Sequence, residues 1–272
     1  MNLKEALKGK ISDEELALVR RSFDVVGDIA IIEVPKEIAH RENLIGNTLL
    51  SLLKNVKTVL VKEGGHSGKY RRQKMRCIAG EDKRVTSHKE SGVRIMVDVE
   101  RCYYSPRLAN DRLSIARKVR SGERVLVVGS GVGPYPLVIA KNADPKEVVG
   151  IEINPVAHKF ALENARLNKL EGKVRFVKCD VRDFGRSLFD RVIVAMPHEG
   201  VDAARFVFKN VRSGGFLHVM AFTPEGDLKG PARALKELAK KCTKRPLRIL
   251  RTVLAGQHAV RSYRVRIDAK LG

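Results

Sequence analysis

RVLVVGSGVGPYP, residues 124–136, runs an apolar strand straight into a turn carrying three glycines. Gly129, Gly131 and Gly133 let the backbone turn tightly and approach a ligand, and the helix that follows offers free N–H groups to it. Taken alone, such a turn fits any nucleotide site, or simple punctuation. Glu152 adds to it. It lies at the end of the next strand, EVVGIEI, twenty-one residues beyond Gly131. A carboxylate there can accept hydrogen bonds from both ribose hydroxyls of a nucleoside. Its other reading is a helix-capping acid before Asn154-Pro155. The third strand ends in Cys179-Asp180, where the Asp180 carboxylate can take an adenine amino group. Three elements in register describe an adenosine site.

Two adenosine cofactors compete for it. A nicotinamide dinucleotide fingerprint wants GxGxxG, whereas GSGVGPYP places Pro134, Tyr135 and Pro136 after the third glycine. GxGxG followed by an acid at the second strand's end is the form that binds S-adenosylmethionine. That cofactor is the expectation.

Outward from this motif the pattern alternates. LANDRLSIARKV, PYPLVIAKNA and NPVAHKFALENARLNKL have helical spacing. Between and after them EVVGIEI, KVRFVKCDV, FDRVIVAMP and GGFLHVMAF read as strands. Strands alternating with helices predict a parallel sheet wound on both faces. A basic helix, KGPARALKELAKKCT, then precedes RILRTVLAG and SYRVRIDAKL, two strands with no helix between them and so an antiparallel edge pair. The fold class expected is α/β, a Rossmann-like class I methyltransferase domain over residues 105–272.

Residues 1–104 read differently, as a smaller N-terminal α+β domain. An amphipathic lead-in covers 1–22, DVVGDIAIIEVP is a strand pair or one long strand, and ENLIGNTLLSLLKNV is a core-facing helix. KTVLVKE, RRQKMRCIAG and GVRIMVDVE are strands.

Composition narrows the function. Lys and Arg number 53 against 31 Asp and Glu, a net charge of +22, and such a field attracts polyanions, nucleic acid first among them. An ion-rich thermophilic surface explains many charges but not their imbalance. Residues 1–105 hold 20 basic and 15 acidic side chains, 106–272 hold 33 and 16, and nine basic residues face one acid between Lys229 and Arg251. Lys240, Lys241, Lys244 and Arg245 are the candidate RNA contacts in that cluster. Four scattered cysteines form no CxxC pair, and the histidines show no ligand spacing, so no metal site is expected. No apolar run is long enough to span a membrane and no signal-peptide core opens the chain; a soluble, cytoplasmic protein is expected.

Tyr103-Tyr104-Ser105-Pro106-Arg107-Leu108-Ala109-Asn110-Asp111-Arg112 resembles the FSPRLxxER signature of the archaeal and eukaryotic tRNA guanine-N1 methyltransferases. FDVVGDIAIIEVP, GKYRR, IAGEDK, HKESGVRIMVDV, INPVAHKFALENARLNK and DRVIVAMP fall in that family's order, so the resemblance spans most of the chain. It implies methylation of the guanine just 3′ of the anticodon, with tRNA as partner. The family's larger members carry a further N-terminal tRNA-binding module, for which this chain looks too short.

By position, the resemblance puts the base that removes the guanine N1 proton on Asp111. The arginine that holds guanine O6 falls on Arg71, the proline of an NLP motif on Pro197, and cofactor-side residues on Tyr103 and Arg107. The chemistry is compatible: N1 is a poor nucleophile until its proton leaves, and a cation at O6 stabilises the anion that develops. Three departures bear on base recognition. Asp111 is one methylene shorter than glutamate, Ala195 lacks an amide, and Val127 stands where an acid usually closes the first strand. The alternatives are aminocarboxypropyl transfer from the same cofactor, as in wybutosine-pathway relatives, and an RNA-binding homologue that has lost catalysis. Pro197 and the intact SPRL favour the methyl branch.

Overall fold

In the computed structural model, which describes residues 2–65, 67–259 and 261–272, two compact units form: Met1–Lys89 with Arg94–Pro106, and Glu90–Val93 with Arg107–Gly272. The first unit opens with two short helices rather than one lead-in, α1 (Leu3–Leu7) and α2 (Asp13–Leu18), separated by Gly9 at φ +76°. Each starts in a capping box, Asn2 with Glu5 and Ser12 with Glu15, which occupies N–H groups the first turn leaves over. DVVGDIAII resolves as the strand pair β1 (Asp24–Val26) and β2 (Ile29–Ile32). Helix α3 (Glu42–Leu52) buries Ile45 and Leu49, and β3 (Thr58–Lys62) and β4 (Met75–Gly80) complete a sheet of order β1-β2-β3-β4. Strand β4 begins later than RRQKMRCIAG suggests, because Ser67–Arg72 closes a turn of its own. A second hairpin joins β5 (Val85–Glu90) to β6 (Val93–Asp98), and only its second strand is legible in the sequence. VTSHKE is too polar to announce β5.

The second unit begins with a 3₁₀ turn, Pro106–Leu108, and α4 (Ala109–Ala116). Then β7 (Arg124–Val128), α5 (Pro134–Asn142), β8 (Glu147–Glu152), α6 (Pro155–Leu167), β9 (Val174–Lys178) and β10 (Phe189–Val194) alternate as expected. Helix α7 (Gly200–Val207), which the sequence pattern does not announce, leads into β11 (Val211–Pro224), α8 (Gly230–Cys242), β12 (Leu247–Ala259) and β13 (Ser262–Leu271). Strand order is β12-β13-β11-β10-β7-β8-β9. β9, β8, β7, β10 and β11 pair in parallel, and β13 runs antiparallel to both β11 and β12. The closing strands do form an antiparallel pair, but only β12 is an edge; β13 is bonded on both sides. This is a doubly wound α/β sheet closed by an antiparallel strand pair.

The order reverses between β7 and β10, and ligands of such sheets bind outside the carboxyl ends of the strands at that point. One face is apolar: Leu126, Val192, Val194, Leu217 and Ile267 lie under Ala204, Val207, Leu235 and Ala239 of α7 and α8. The opposite face of β10, β11 and β13 carries Arg191, His218, Arg266 and Asp268, all buried. Among the described residues no helix is long and apolar enough to cross a membrane.

Candidate active site

The glycine turn closes on Glu152. Gly129, Gly131 and Gly133 have φ of +68°, +57° and +92°, a region costly to side-chain-bearing residues. A Cβ on Gly129 would stand 2.4 Å from Met196 Cγ, and one on Gly133 2.7 Å from Phe176 Cζ. The Gly131 N–H donates to Glu152 Oε2 and the Asn154 N–H to Oε1, both at 2.7 Å. Burial pushes the Glu152 carboxyl up from its ordinary value, against the pull of these amides. Glu152 is therefore a brace for the turn, and with the Ile153 amide also bonded to it, three backbone amides occupy part of the carboxylate's acceptor capacity and leave the rest open. The helix-cap reading belongs to its neighbour: Asn154 accepts from the Val156 N–H at 3.0 Å to start α6.

Asp180 follows β9 and caps the 3₁₀ turn Val181–Asp183, accepting from the Arg182 N–H at 3.0 Å. Its carboxylate also receives Arg182 Nε at 3.0 Å and Nη2 at 2.7 Å, so its lone pairs are partly engaged. At the end of β10 the Ala195 N–H donates to Val128 O at 2.9 Å, and Met196 packs under Gly129. Pro197 comes next, its carbonyl accepting from the Phe222 N–H at 3.0 Å. It lines a cleft of about 200 Å³ with His198, Glu199, Phe222 and Pro231. Val127, noted as a departure, is a buried residue of the β7 core.

Arg107 is exposed on the turn before α4, and Tyr103 is half-buried in the first unit. Arg71 also belongs to the first unit. It sits at φ +53° in the turn whose ends, Ser67 and Arg72, exchange backbone hydrogen bonds at 2.9 and 3.0 Å. Arg71 and Arg72 are therefore turn residues and not part of a basic strand. A non-glycine residue at positive φ is held there by its surroundings, at a cost on the order of 1 kcal/mol or more.

Asp111, in the first turn of α4, is buried and fully committed in direction. Tyr135 Oη donates to Oδ2 at 2.8 Å, and Arg266 Nη1 donates to Oδ1. It is thus no solvent-facing acid answering a helix dipole. Tyr135 stands two residues beyond Gly133, so this bond ties Asp111 to the start of α5 behind the glycine turn. Arg266 Nε also donates to Asp268 Oδ1 at 2.7 Å. Asp268 pairs with His218 Nδ1 at 2.6 Å, His218 Nε2 with Arg191 Nη1 at 2.7 Å, and Arg191 Nε with Glu123 at 2.8 Å. Arginine can only donate, so His218 Nε2 accepts and its proton is on Nδ1.

Burial and the neighbouring guanidinium of Arg191 lower the His218 pKa, against the opposing pull of Asp268, and leave the ring neutral at pH 7. Asp268 is held well below the usual carboxylate range: burial raises it, but His218 and Arg266 together outweigh that. Burial, reinforced by the Asp111 charge, pushes the Tyr135 phenol well up.

Sequence reasoning misses this chain of side chains. SYRVRIDAKL shows charge at every second position, which on an isolated strand reads as a solvent face. The signal lies in combining that alternation with a sheet covered on both sides.

Residues 86–247 match the family described as the TRM5/TYW2 methyltransferase domain, and residues 3–83 match the TYW2 N-terminal domain. A tRNA (guanine(37)-N(1))-methyltransferase Trm5b of Pyrococcus abyssi is 35% identical over 92% of this chain and 74% of its own length. The crystal structure of Trm5b from that organism superimposes with a TM-score of 0.88 at 34% identity, covering 96% of this chain and 78% of the other. A tRNA(Phe) (4-demethylwyosine(37)-C(7)) aminocarboxypropyltransferase of Pyrococcus horikoshii is 29% identical over 82% of this chain and 79% of its own length. The chain belongs to the TRM5/TYW2 methyltransferase family.

Proposed function

We propose that this protein is an S-adenosylmethionine-dependent tRNA (guanine(37)-N1)-methyltransferase, acting in the cytoplasm on the guanine 3′ of the anticodon. One observation carries the reading most directly. The glycine turn is braced by Glu152 and backed by Met196-Pro197 at the strand-order reversal, and Tyr135 of the adjoining helix fixes Asp111. The donor set suits the cofactor: positive-φ glycines leave the backbone bare, and the Glu152 carboxylate keeps acceptor capacity for a diol. Glu152 would hold the ribose, Asp180 the adenine amino group, and Gly129, Gly131 and Gly133 the space between. Tyr103 and Arg107 are assigned to the cofactor side. When bound, the cofactor supplies an electrophilic methyl group on sulfur. Asp111 takes the N1 proton and the Pro197 turn bounds the base, while the O6 role of Arg71 rests on the family resemblance alone.

A second reading has its own support in the match of residues 3–83 to the TYW2 N-terminal domain. It transfers the aminocarboxypropyl group. Incubating tRNA with cofactor labelled in the methyl group, and separately in the carboxyl group, separates the two. Methyl label in the RNA is the result expected here; carboxyl label establishes the second reading, and neither label points to a homologue that binds RNA without catalysis.

Glu152→Ala should weaken cofactor binding by about 1–3 kcal/mol, since it removes an acceptor and frees the Gly131 amide together. Unchanged affinity by calorimetry, in a folded variant, removes Glu152 from the site.

The RNA-facing set needs one correction. Arg245 is spent inside the fold, donating to the carbonyls of Gly272 at 2.6 Å, Val211 at 2.7 Å and Arg212 at 2.6 Å. It pins the chain's last residue and is withdrawn from the cluster. Lys240, Lys241 and Lys244 remain at the surface at the end of and just after α8, and Lys236, exposed on the same helix, joins them. Neutralising these four should flatten the slope of log affinity for tRNA against log salt, by roughly one for each phosphate left without its lysine. An unaltered slope makes them a solvated surface only.

A further inference from the structure

Asp111 shares its guanidinium. Arg266 Nη1 donates to Asp111 while Nε of the same side chain donates to Asp268 at 2.7 Å, and Arg266 is 1% exposed. Asp268 takes the side-on fork of Arg266, Nε at 2.7 Å and Nη2 at 3.3 Å, which leaves Nη1 for Asp111, so one guanidinium serves two carboxylates. From this arrangement we propose that Arg266 is a positioning residue that aims the Asp111 carboxylate, and that Asp268 draws off enough of its charge to keep Asp111 a working proton acceptor. The inference rests on the assignment of Asp111 as the base.

Charge counting gives the reason. Asp111, Arg266 and Asp268, the deeply buried members of the group, sum to −1; Arg251 and Lys118 reach Asp268 from more exposed positions, where solvent screens their charge. When the guanine N1–H bond breaks, its electron pair stays on N1 and the proton forms an O–H bond on Asp111, bringing the trio to zero. Without Asp268 the same transfer would run from zero to +1 in a buried site, which low-dielectric surroundings oppose.

The other groups around Asp111 hold constant charge or none. Tyr135 on α5 donates to it, with its own proton firmly held. Arg112, the next residue on α4, is matched by Glu90. Lys118 beyond α4 lies 4.0 Å from Asp268, and Arg251 on β12 donates to Asp268 at 2.7 Å from its half-exposed position. His218 on β11 is neutral, and Arg191 on β10 is matched by Glu123. Proton uptake therefore falls on Asp111 itself. His218, donating through Nδ1, keeps Asp268 turned towards Arg266.

Single-turnover methyl transfer to a tRNA transcript, measured against pH with the full chain and saturating cofactor, tests this. Asp268→Asn should lower the plateau rate by about tenfold, within the range of acid–base contributions. It should also move the acid limb to lower pH, because a base beside an unshared guanidinium stays ionised further down. Arg266→Met should move that limb to higher pH and slow the plateau through lost aim, and Arg266→Lys should recover part of the rate. The KM for tRNA should stay unchanged throughout. Calorimetric cofactor affinity confirms that each variant is folded. Should Arg266→Met fail to fold, Asp268→Asn and the milder Tyr135→Phe carry the test, the latter expected to slow the plateau without changing the KM. Asp111→Asn is the reference. If it is inactive while the other variants keep the wild-type pH profile and rate, the pair is purely structural and the inference is wrong. If Asp111→Asn itself keeps its rate, the base assignment has failed instead, and this inference with it.

Discussion

Asp111→Asn lowers the single-turnover rate of methyl transfer by roughly 10²–10⁴-fold, the range expected for loss of a positioned base, and leaves cofactor affinity in place. The structure makes this substitution unusually clean. An asparagine can accept from Arg266 through Oδ1 and turn its amide towards Tyr135 Oη, which can accept in return. Both contacts can be kept, the one to Tyr135 with its direction reversed, while the negative charge and with it the capacity to take a proton are lost. Asp111→Ala would be a poorer probe, because it leaves a buried guanidinium short of a partner. Asp111→Glu tests reach. A longer acid that matches or exceeds the wild-type rate shows that aspartate falls short of N1. A slower one shows that the Arg266 and Tyr135 hydrogen bonds have set the distance for the shorter side chain. An undiminished rate in Asp111→Asn would remove the residue from the chemistry.

The largest stability loss is expected at a different buried pair. Arg112 Nε donates to Glu90 Oε1 at 2.6 Å and its Nη2 to Oε2 at 2.5 Å, with the two side chains 2% and 3% exposed. Removing one member leaves an uncompensated charge in the interior, so Glu90→Ala should cost about 3–5 kcal/mol. Denaturant unfolding should show a lower midpoint, and heating a lower Tm. Replacing both together, Glu90→Met with Arg112→Met, should restore much of the loss, since two apolar side chains carry no desolvation penalty. A single variant as stable as the parent would mean that water reaches this pair.

What can be read from the sequence is what repeats locally. The run Val125–Val128 into three glycines, the acid closing EVVGIEI and the helical spacing of NPVAHKFALENARLNKL each announce themselves within one element, and the α/β order follows from their succession. Strand β5 and helix α7 escape because VTSHKE buries few residues and GVDAARFV is short. At the site, Gly129, Gly131, Gly133 and Glu152 are legible because turn and acid have a fixed spacing. The partners of Asp111 are not. Arg266 lies 155 residues further along the chain, and nothing local in RVRIDAKL says that its charged side faces inward. Arg245 misleads for the converse reason, a basic residue in a basic run whose guanidinium caps the backbone carbonyls of the fold.

The most direct test is nucleoside mass spectrometry of a tRNA transcript incubated with the protein and S-adenosylmethionine. The expected result is one methyl group on N1 of the guanine 3′ of the anticodon, and none when that guanine is replaced by adenine. An aminocarboxypropyl adduct, or an unmodified guanine in RNA that the cofactor-loaded protein demonstrably binds, would contradict it.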